Sequence, residues 1–332
     1  MLNREDAKGF LLQFIRFGIG EKTTYCMDMS SVGSIMRLDS LKPNPEDKEP
    51  AGWLLMNRES VPVFNIAKRL GQSMVGDPNT GRIVVLDAKP NPWGFIVDRV
   101  LGVIQAEEEN VFPMPSALQS PSSDFYNGVI KLEDELILYF SPERLNPQKD
   151  SSSEERKKER RKQEFIRPKS VASRHNQTST KERRILFFYT MDSRPNERPI
   201  VFGLSITQVL EILEPLSIIP VPVSAPFVLG LVNWRNRPVP VIDLNVRLGI
   251  GLHSFESISR LLIARTQSNG ELIGFHIKPN VSVQSLPIPN QVCSRVLRVD
   301  KGFTRGVFEL ENETLVVPDI DMVAGTYESS SQ

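Results

Sequence analysis

An internal repeat, at an offset of about 178 residues, is the feature that most constrains this chain. The segment 52–71 (GWLLMNRESVPVFNIAKRLG) aligns without a gap with 230–249 (GLVNWRNRPVPVIDLNVRLG). The same offset pairs 127–138 (NGVIKLEDELIL) with 305–316 (RGVFELENETLV). A repeat unit of this length predicts two tandem domains rather than a solenoid of small units.

The segment between the repeats, 148–182, has a different composition. It is rich in Ser, Glu, Lys and Arg and almost free of large apolar residues. Such a segment cannot bury enough apolar surface to offset the ~1–2 kcal/mol per residue that backbone ordering costs. We therefore predict a first domain over 1–147, a flexible charged linker over 148–182, a second domain over 183–327 and a disordered tail over 328–332.

Both repeats have the pattern of an all-β fold. Short Val, Ile, Leu and Phe runs recur, and the 25 prolines and 20 glycines of the chain interrupt them too often for long helices. Pro238 and Pro240 are two residues apart, so their missing N–H groups fall on one side of a strand and favour an edge position. Chains of short strands commonly limit their exposed edges by forming barrels.

The charges give no general attraction to nucleic acid or acidic lipid, because Lys plus Arg and Asp plus Glu each total 40. One basic run, residues 156–162, lies in the linker and is interleaved with glutamates. A solvated linker is the favoured interpretation of this run, and contact with nucleic acid or a membrane is the alternative. Cys26 and Cys293 lie in different repeats, which disfavours a disulfide framework and suits a reducing cytoplasm.

The sequence contains no recognisable catalytic or cofactor motif. His175, His253 and His276 are scattered, without the spacing of a metal site. Phosphate-binding glycine loops and a nucleophile elbow are also missing. No segment has the pattern of a signal peptide, and no apolar run is long enough to cross a bilayer. These observations predict a soluble protein that is not an enzyme and binds no cofactor.

Residues 201–249 contain an ordered series of short motifs. They are Val-Leu-Glu-Ile, Pro-Val-Pro, Pro-Phe-Val-Leu-Gly, Asn-Trp-Arg-Asn, Val-Pro-Val-Ile-Asp-Leu and a closing Leu-Gly. In order, spacing and chemistry the series resembles the core of the CheW family of chemotaxis proteins. A weaker match over 306–318 extends the resemblance over most of 184–326.

Residues 10–146 resemble the same family less strongly, so the first domain is a divergent member. The Val-Pro-Val and Leu-Gly motifs are kept, and Asp98, Val100 and Val103 fill a further family signature. The second repeat has lost that signature and has Lys-Pro-Asn at 278–280 instead.

The resemblance implies that each domain consists of two small five-stranded β-barrels around a shared core. It also implies a non-enzymatic adaptor in a chemotaxis or type IV pilus motility system. The implied partners are the regulatory domain of a CheA-type histidine kinase, the cytoplasmic tips of chemoreceptors and other CheW-like proteins. Neither nucleic acid nor membrane insertion is expected, and receptor arrays would hold the protein in the cytoplasm close to the membrane. The alternative is a β-barrel scaffold whose protein partner lies outside chemosensing.

The family pattern places a glutamate and an arginine at Glu211 and Arg235. We predict that these two side chains lie close together at the partner-binding surface, with Asn233 and Trp234 beside them. An exposed ion pair contributes only ~0–1 kcal/mol, so this pair would orient the surface more than it would stabilise the fold. Spacing alone would favour two unrelated surface charges.

Several apolar residues of the motifs have two open interpretations. Val209, Ile212, Val239 and Val241 suit a barrel core, and some of them also suit an exposed strip that binds a partner. Trp234 could be a binding hot spot or a cover for the core.

The other motif residues are predicted to serve the fold, through positive φ angles, close backbone approach or capping of a strand end. They are Gly52, Pro62, Gly71, Gly230, Pro240, Asp243 and Gly249.

The first repeat has Ser34 and Asn57 at the positions of Glu211 and Arg235. Neither can form that ion pair. Arg58 is adjacent, but a shift of one residue in a strand turns a side chain to the opposite face. We therefore expect the first domain to bind differently or to bind another partner.

Overall fold

The computed structural model describes most of the two repeats. The described residues are 11–20, 23–46, 48–56, 58–74, 77, 79–88, 91–120, 123–146, 183–190, 198–251, 259–286 and 299–326. The predicted linker and C-terminal tail lie outside these ranges, as do Asn57, His175, His253 and Cys293.

The first domain, residues 11–146, is built almost entirely from short strands. In chain order these are β1 (Leu11–Ile19), β2 (Thr23–Asp28), β3 (Val32–Arg37), β4 (Lys42–Pro43), β5 (Gly52–Met56), β6 (Glu59–Phe64), β7 (Arg82–Leu86), β8 (Trp93–Val97), β9 (Arg99–Glu107), β10 (Val111–Pro113), β11 (Tyr126–Leu132) and β12 (Glu135–Phe140). The one-turn helices α1 (Ile66–Arg69) and α2 (Pro142–Leu145) follow β6 and β12.

These strands form two sheets. Sheet A has the order β10-β11-β12-β2-β1-β9, and sheet B has the order β3-β7-β8-β6-β5-β4. The two outer strands of each sheet are successive pieces of chain, separated by a 3-10 turn at Glu108–Asn110 in sheet A and at Leu38–Ser40 in sheet B. Each such pair is therefore one bent strand, and each sheet corresponds to five strands rolled upon themselves.

The second domain, residues 183–326, repeats this plan. Its strands are β13 (Arg183–Phe188), β14 (Ile200–Ser205), β15 (Val209–Leu213), β16 (Val228–Trp234), β17 (Arg237–Ile242), β18 (Arg260–Arg265), β19 (Leu272–Ile277), β20 (Val281–Leu286), β21 (Thr304–Glu309) and β22 (Thr314–Pro318). Helices α3 (Leu244–Arg247) and α4 (Ile320–Val323) correspond to α1 and α2.

Sheet C of the second domain has the order β20-β13-β14-β22-β21, and sheet D has the order β15-β18-β19-β17-β16. Strand β20 takes the place that β9 has in the first domain. The second domain therefore keeps this strand even though its sequence has lost the family signature. The predicted all-β architecture of two five-stranded units per domain is confirmed.

The apolar core has two levels. Each sheet encloses a small cluster of its own, such as Val232, Val239, Val241, Leu261 and Ile263 inside sheet D. A larger cluster lies between the sheets and is continuous from one domain to the other. This arrangement fits the predicted pair of barrels around a shared core, because alternate residues of each strand face the two clusters.

The prediction of an edge position for Pro238 and Pro240 is wrong. Their strand, β17, lies between β19 and β16. The sheet tolerates them because the parallel pairing of β17 with β19 covers only Val241 and Ile242. Pro238 and Pro240 occupy non-hydrogen-bonded pairs of the antiparallel ladder with β16, so their nitrogens point away from β16. On that other side, β19 does not pair with either proline, so no N–H is required there.

Candidate partner-binding site

A tight turn between β16 and β17 places Arg235 at the tip of a hairpin. Trp234 pairs with Arg237 across a two-residue loop, and Arg235 and Asn236 have φ angles of 48° and 63°. Two successive positive φ angles define the type I′ turn, whose twist matches that of the flanking strands. The arginine side chain is therefore presented by a rigid turn rather than by a long loop.

A β-bulge in the neighbouring part of sheet D positions Glu211. The pairing of β15 with β18 shifts between Val209 and Glu211, after which Glu211 lies opposite Ile263. A bulge adds a residue to one strand and re-aims the side chains that follow it.

The structure brings Glu211, Trp234 and Arg235 into one cluster, which we call the charged corner. Arg235 Nη2 lies 2.9 Å from Glu211 Oε2. Trp234 Nε1 donates a hydrogen bond of 3.0 Å to the same oxygen. The Arg235 guanidinium carbon is 4.9 Å from the centroid of the indole ring. The corner is open to solvent, since the Arg235 side chain is 69% exposed and that of Glu211 is 33% exposed.

Trp234 covers the core, which is one of its two predicted roles, and its role as a binding hot spot stays a prediction. The ring is half-buried and packs against the cluster inside sheet D. Its N–H holds the carboxylate of Glu211. The indole therefore covers the barrel and supports the corner, and neither role excludes the other.

The other predicted contact residues lie in different surroundings. Val239 is fully buried inside sheet D, so it cannot touch a partner and is corrected to a core residue. Val241 is buried there as well, which agrees with one of its two open interpretations. Val209 and Ile212 are half-buried against the larger core. Asn233 is half-buried as well, and its Nδ2 donates a hydrogen bond of 3.4 Å to the Asp134 carbonyl of the first domain.

Gly52 and Gly230 lie where the backbone of another segment approaches closely. A Cβ on Gly230 would lie 2.3 Å from the Ile219 carbonyl oxygen, and one on Gly52 would lie 2.4 Å from the Lys42 carbonyl oxygen. Gly230 also has a φ of 143°, whereas Gly71 and Gly249 follow α1 and α3 with φ angles of 60° and 70°.

Asp243 caps the N-terminus of α3. Its Oδ1 accepts hydrogen bonds from the backbone N–H groups of Asn245 at 2.9 Å and Val246 at 3.2 Å. Such a cap satisfies donors that a helix start leaves unpaired. Pro62 and Pro240 occupy matching places, opposite Trp53 and Leu231.

The first domain has the same backbone at the matching place but a different surface. The pairing of β3 with β7 shifts between Val32 and Ser34, so the same bulge puts Ser34 where Glu211 lies. The Ser34 hydroxyl is buried and has no hydrogen-bond partner among the described residues. Leu55, which matches Asn233, is 67% exposed.

Sequence reasoning missed one surface, the outer strands β9 and β20. Leu101 and Val103 of β9 are 47% and 54% exposed, and Val281 and Val283 of β20 are 36% and 48% exposed. Val103 and Val283 lie at matching places, opposite Ile15 of β1 and Leu186 of β13. The alternation Val-Ser-Val at 281–283 was the signal that could have revealed the pair in the second domain.

Other chemistry is scarce in the part of the chain that the structure describes. No three His, Cys, Asp or Glu side chains there are grouped to hold a metal ion. Cys26 lies inside sheet A, and burial raises the pKa of its thiol, which keeps the sulfur protonated and unreactive. None of the described helices has the length and apolar character needed to cross a membrane.

A family model for the CheW-like domain matches residues 13–149 and 194–327. The chain belongs to the CheW-like domain family. The predicted resemblance is thereby confirmed, and the CheW-like fold accounts for both repeats.

Similar proteins agree with two CheW-like domains in tandem. The "Chemotaxis protein CheW" of Treponema pallidum is 26% identical over 145 residues, which are 42% of this chain and 84% of that protein. The protein of the same name from Thermotoga maritima is 26% identical over 137 residues, which are 40% of this chain and 86% of that protein. Each relative is thus matched over most of its length by less than half of this CheW-like chain.

A solved structure, the scaffolding protein TtCheW from Thermoanaerobacter tengcongensis, is 23% identical to this chain. The match covers 43% of this chain and 93% of that one, with a TM-score of 0.37.

Proposed function

We propose that this tandem CheW-like protein is a non-enzymatic adaptor that couples chemoreceptors to a CheA-type histidine kinase. Its two domains, joined by the linker over 148–182, would work in the cytoplasm beside a receptor array. Family membership and the names of the relatives support a chemosensory role. The observation that carries the proposal is the charged corner of Glu211, Trp234 and Arg235 in the second domain.

The charged corner has the properties of a binding hot spot. Arginine and tryptophan are the residue types most enriched in such spots. Here the guanidinium is held in place before binding by a carboxylate, an indole ring and a rigid turn. A partner therefore avoids part of the ordering cost of one long side chain, roughly 0.5–1.5 kcal/mol. We assign this corner to the regulatory domain of the kinase.

A coupling protein also needs a second surface for a second partner. The outer strand β20 offers one of unlike chemistry, with Val281 and Val283 exposed. Among the described strands, β20 is an outer one with a single neighbour, β13. Exposed apolar side chains on an outer strand are typical of places where proteins associate. We assign this edge to the receptor tip.

The test separates the two surfaces in the full-length chain. Arg235→Asn removes the charge but keeps the turn, because asparagine readily adopts the positive φ that alanine resists. We expect Arg235→Asn to weaken binding to the kinase regulatory domain at least 10-fold, which is about 1.4 kcal/mol, and to leave receptor binding unchanged. Val283→Ser should show the reverse pattern. Titration calorimetry with each partner measures both.

Arg37→Asn is the matched control. Arg37 forms a surface ion pair of 3.1 Å with Asp39 in the first domain and is 71% exposed. Its replacement should change neither affinity. If wild type binds neither partner, the coupling function is wrong. If Arg235→Asn binds the kinase domain as tightly as wild type, the charged corner is not its site.

A further inference from the structure

The first domain contacts the second domain on the surface next to the charged corner. The turn between β11 and β12 of the first domain reaches β16, where Asn233 Nδ2 donates to the Asp134 carbonyl at 3.4 Å. Ser116 Oγ donates a short hydrogen bond of 2.6 Å to Glu271 Oε1, between β18 and β19. These contacts join separate segments of both domains, so the two surfaces meet along a seam rather than at one point.

A third polar contact and the apolar core strengthen the seam. The Tyr126 hydroxyl lies 3.5 Å from the Pro222 carbonyl oxygen. Burial raises the pKa of Tyr126 well above its usual value, so this hydroxyl stays a neutral donor. The larger apolar cluster continues across the seam and includes Met114 and Ala117 from the first domain with Val221 and Ala225 from the second.

Two clefts lie along the seam and are lined by residues of both domains. They mark the part of the second domain's surface that the first domain covers. One, of about 250 Å³, is lined by Pro113, Ser116 and neighbours on one side and by Arg237, Pro238 and Glu271 on the other. The second, of about 580 Å³, is lined by residues 132–136 and by Ser217, Ile219 and Asn233. Asn233, Arg237 and Pro238 belong to the same hairpin as Arg235, whose exposed side chain forms none of this lining.

We propose that the first domain is a permanent partner of the second domain within the same chain, and that it closes the Asn233 side of the β16–β17 hairpin to other proteins. The charged corner is left as the open part of the hairpin, and both domains present it as one rigid body. The linker predicted from the sequence suggests two domains that move independently. In this proposal the two domains are docked instead.

Tethering makes such docking persistent even if the contact is weak. For a segment of the length of 148–182, random-coil scaling gives an end-to-end distance of roughly 30–35 Å. The effective concentration of one domain at the other is then on the order of 1 mM. A seam with a dissociation constant of about 10 μM would therefore be closed in roughly 99% of molecules.

The experiment breaks the seam by charge repulsion in the full-length chain. Ser116→Glu places a carboxylate against that of Glu271. We expect it to raise the radius of gyration, measured by small-angle X-ray scattering, by about 5 Å. Hydrogen exchange of the β16–β17 amides should also become at least 10-fold faster on the Asn233 side. The double variant Ser116→Glu with Glu271→Lys, which can form an ion pair, should restore both values.

Glu271→Gln is the control, because its amide oxygen still accepts the bond from Ser116, and it should behave like wild type. Glu271→Arg with wild-type Ser116 provides a second way to open the seam if Ser116→Glu does not fold. Wild-type dimensions and exchange in both opening variants would overturn the proposal. Neither readout uses a partner protein, so a failure of the coupling function leaves this test unaffected.

Discussion

The β5–β6 hairpin of the first domain and the β16–β17 hairpin of the second have the same frame and different tips. Both begin near a glycine in close contact with a neighbouring backbone, at Gly52 and Gly230. Both close through a two-residue turn, between Met56 and Glu59 in one and between Trp234 and Arg237 in the other. The frame is thus fixed by backbone contacts that admit few residues.

The tips differ because they lie outside the core and carry no such constraint. The second domain has a carboxylate, an indole and a guanidinium joined at the charged corner. The first domain has a buried serine hydroxyl at the Glu211 position and an exposed leucine at the Asn233 position. Duplication has therefore kept one scaffold and produced two surfaces. That the two domains bind differently stays a prediction.

The largest effect is expected from breaking the frame. Gly230→Ala should lower the free energy of unfolding by about 4 kcal/mol, because the new Cβ meets the Ile219 carbonyl and the positive φ is strained as well. Gly52→Ala should cost about 2–3 kcal/mol, because it meets the Lys42 carbonyl with no positive φ to strain. Urea denaturation of the full chain measures both.

Gly249→Ala serves as the reference for φ strain alone, because no atom lies within 4 Å of the position its Cβ would take. It should cost about 1 kcal/mol. A Gly230→Ala variant no less stable than Gly249→Ala would show that the close backbone approach does not constrain the hairpin.

An intermediate effect is expected from reversing the charged corner. Glu211→Arg and Arg235→Glu alone should each weaken binding to the kinase regulatory domain about 10-fold. The double variant re-forms the pair and should regain part of that loss, which a double-mutant cycle quantifies as a coupling energy. A double variant that binds no better than either single variant would contradict an orienting role for the pair.

The smallest effect is expected from making the first tip more like the second. Leu55→Asn changes a side chain that is 67% exposed, so the free energy of unfolding should stay within about 0.5 kcal/mol. Leu54→Asn, one residue away but 2% exposed, is the contrast and should cost about 3 kcal/mol. Equal costs in thermal unfolding would mean that Leu55 is covered in solution.

The repeat and the motif order were enough to predict the fold class and the proximity of Glu211 and Arg235. The bond from Trp234 to Glu211 was not predictable, because it depends on a bulge that sequence patterns do not specify. Val239 was placed at the surface as one of two options, since a two-residue period shows alternation without showing which face is the interior. The seam between the domains escaped prediction because it joins segments far apart in sequence.

The distribution of strands along the chain sets an order of assembly during synthesis. Sheet B is drawn from one continuous stretch, Val32 to Val97, whereas sheet A combines strands before and after that stretch. Sheets D and C have the same relation in the second domain. On the ribosome, sheets B and D have all their strands first, while sheets A and C have only an early antiparallel pair, β1–β2 or β13–β14, until their late strands emerge. The first domain can fold before the second domain has been synthesised. Docking of the two domains is therefore the last step.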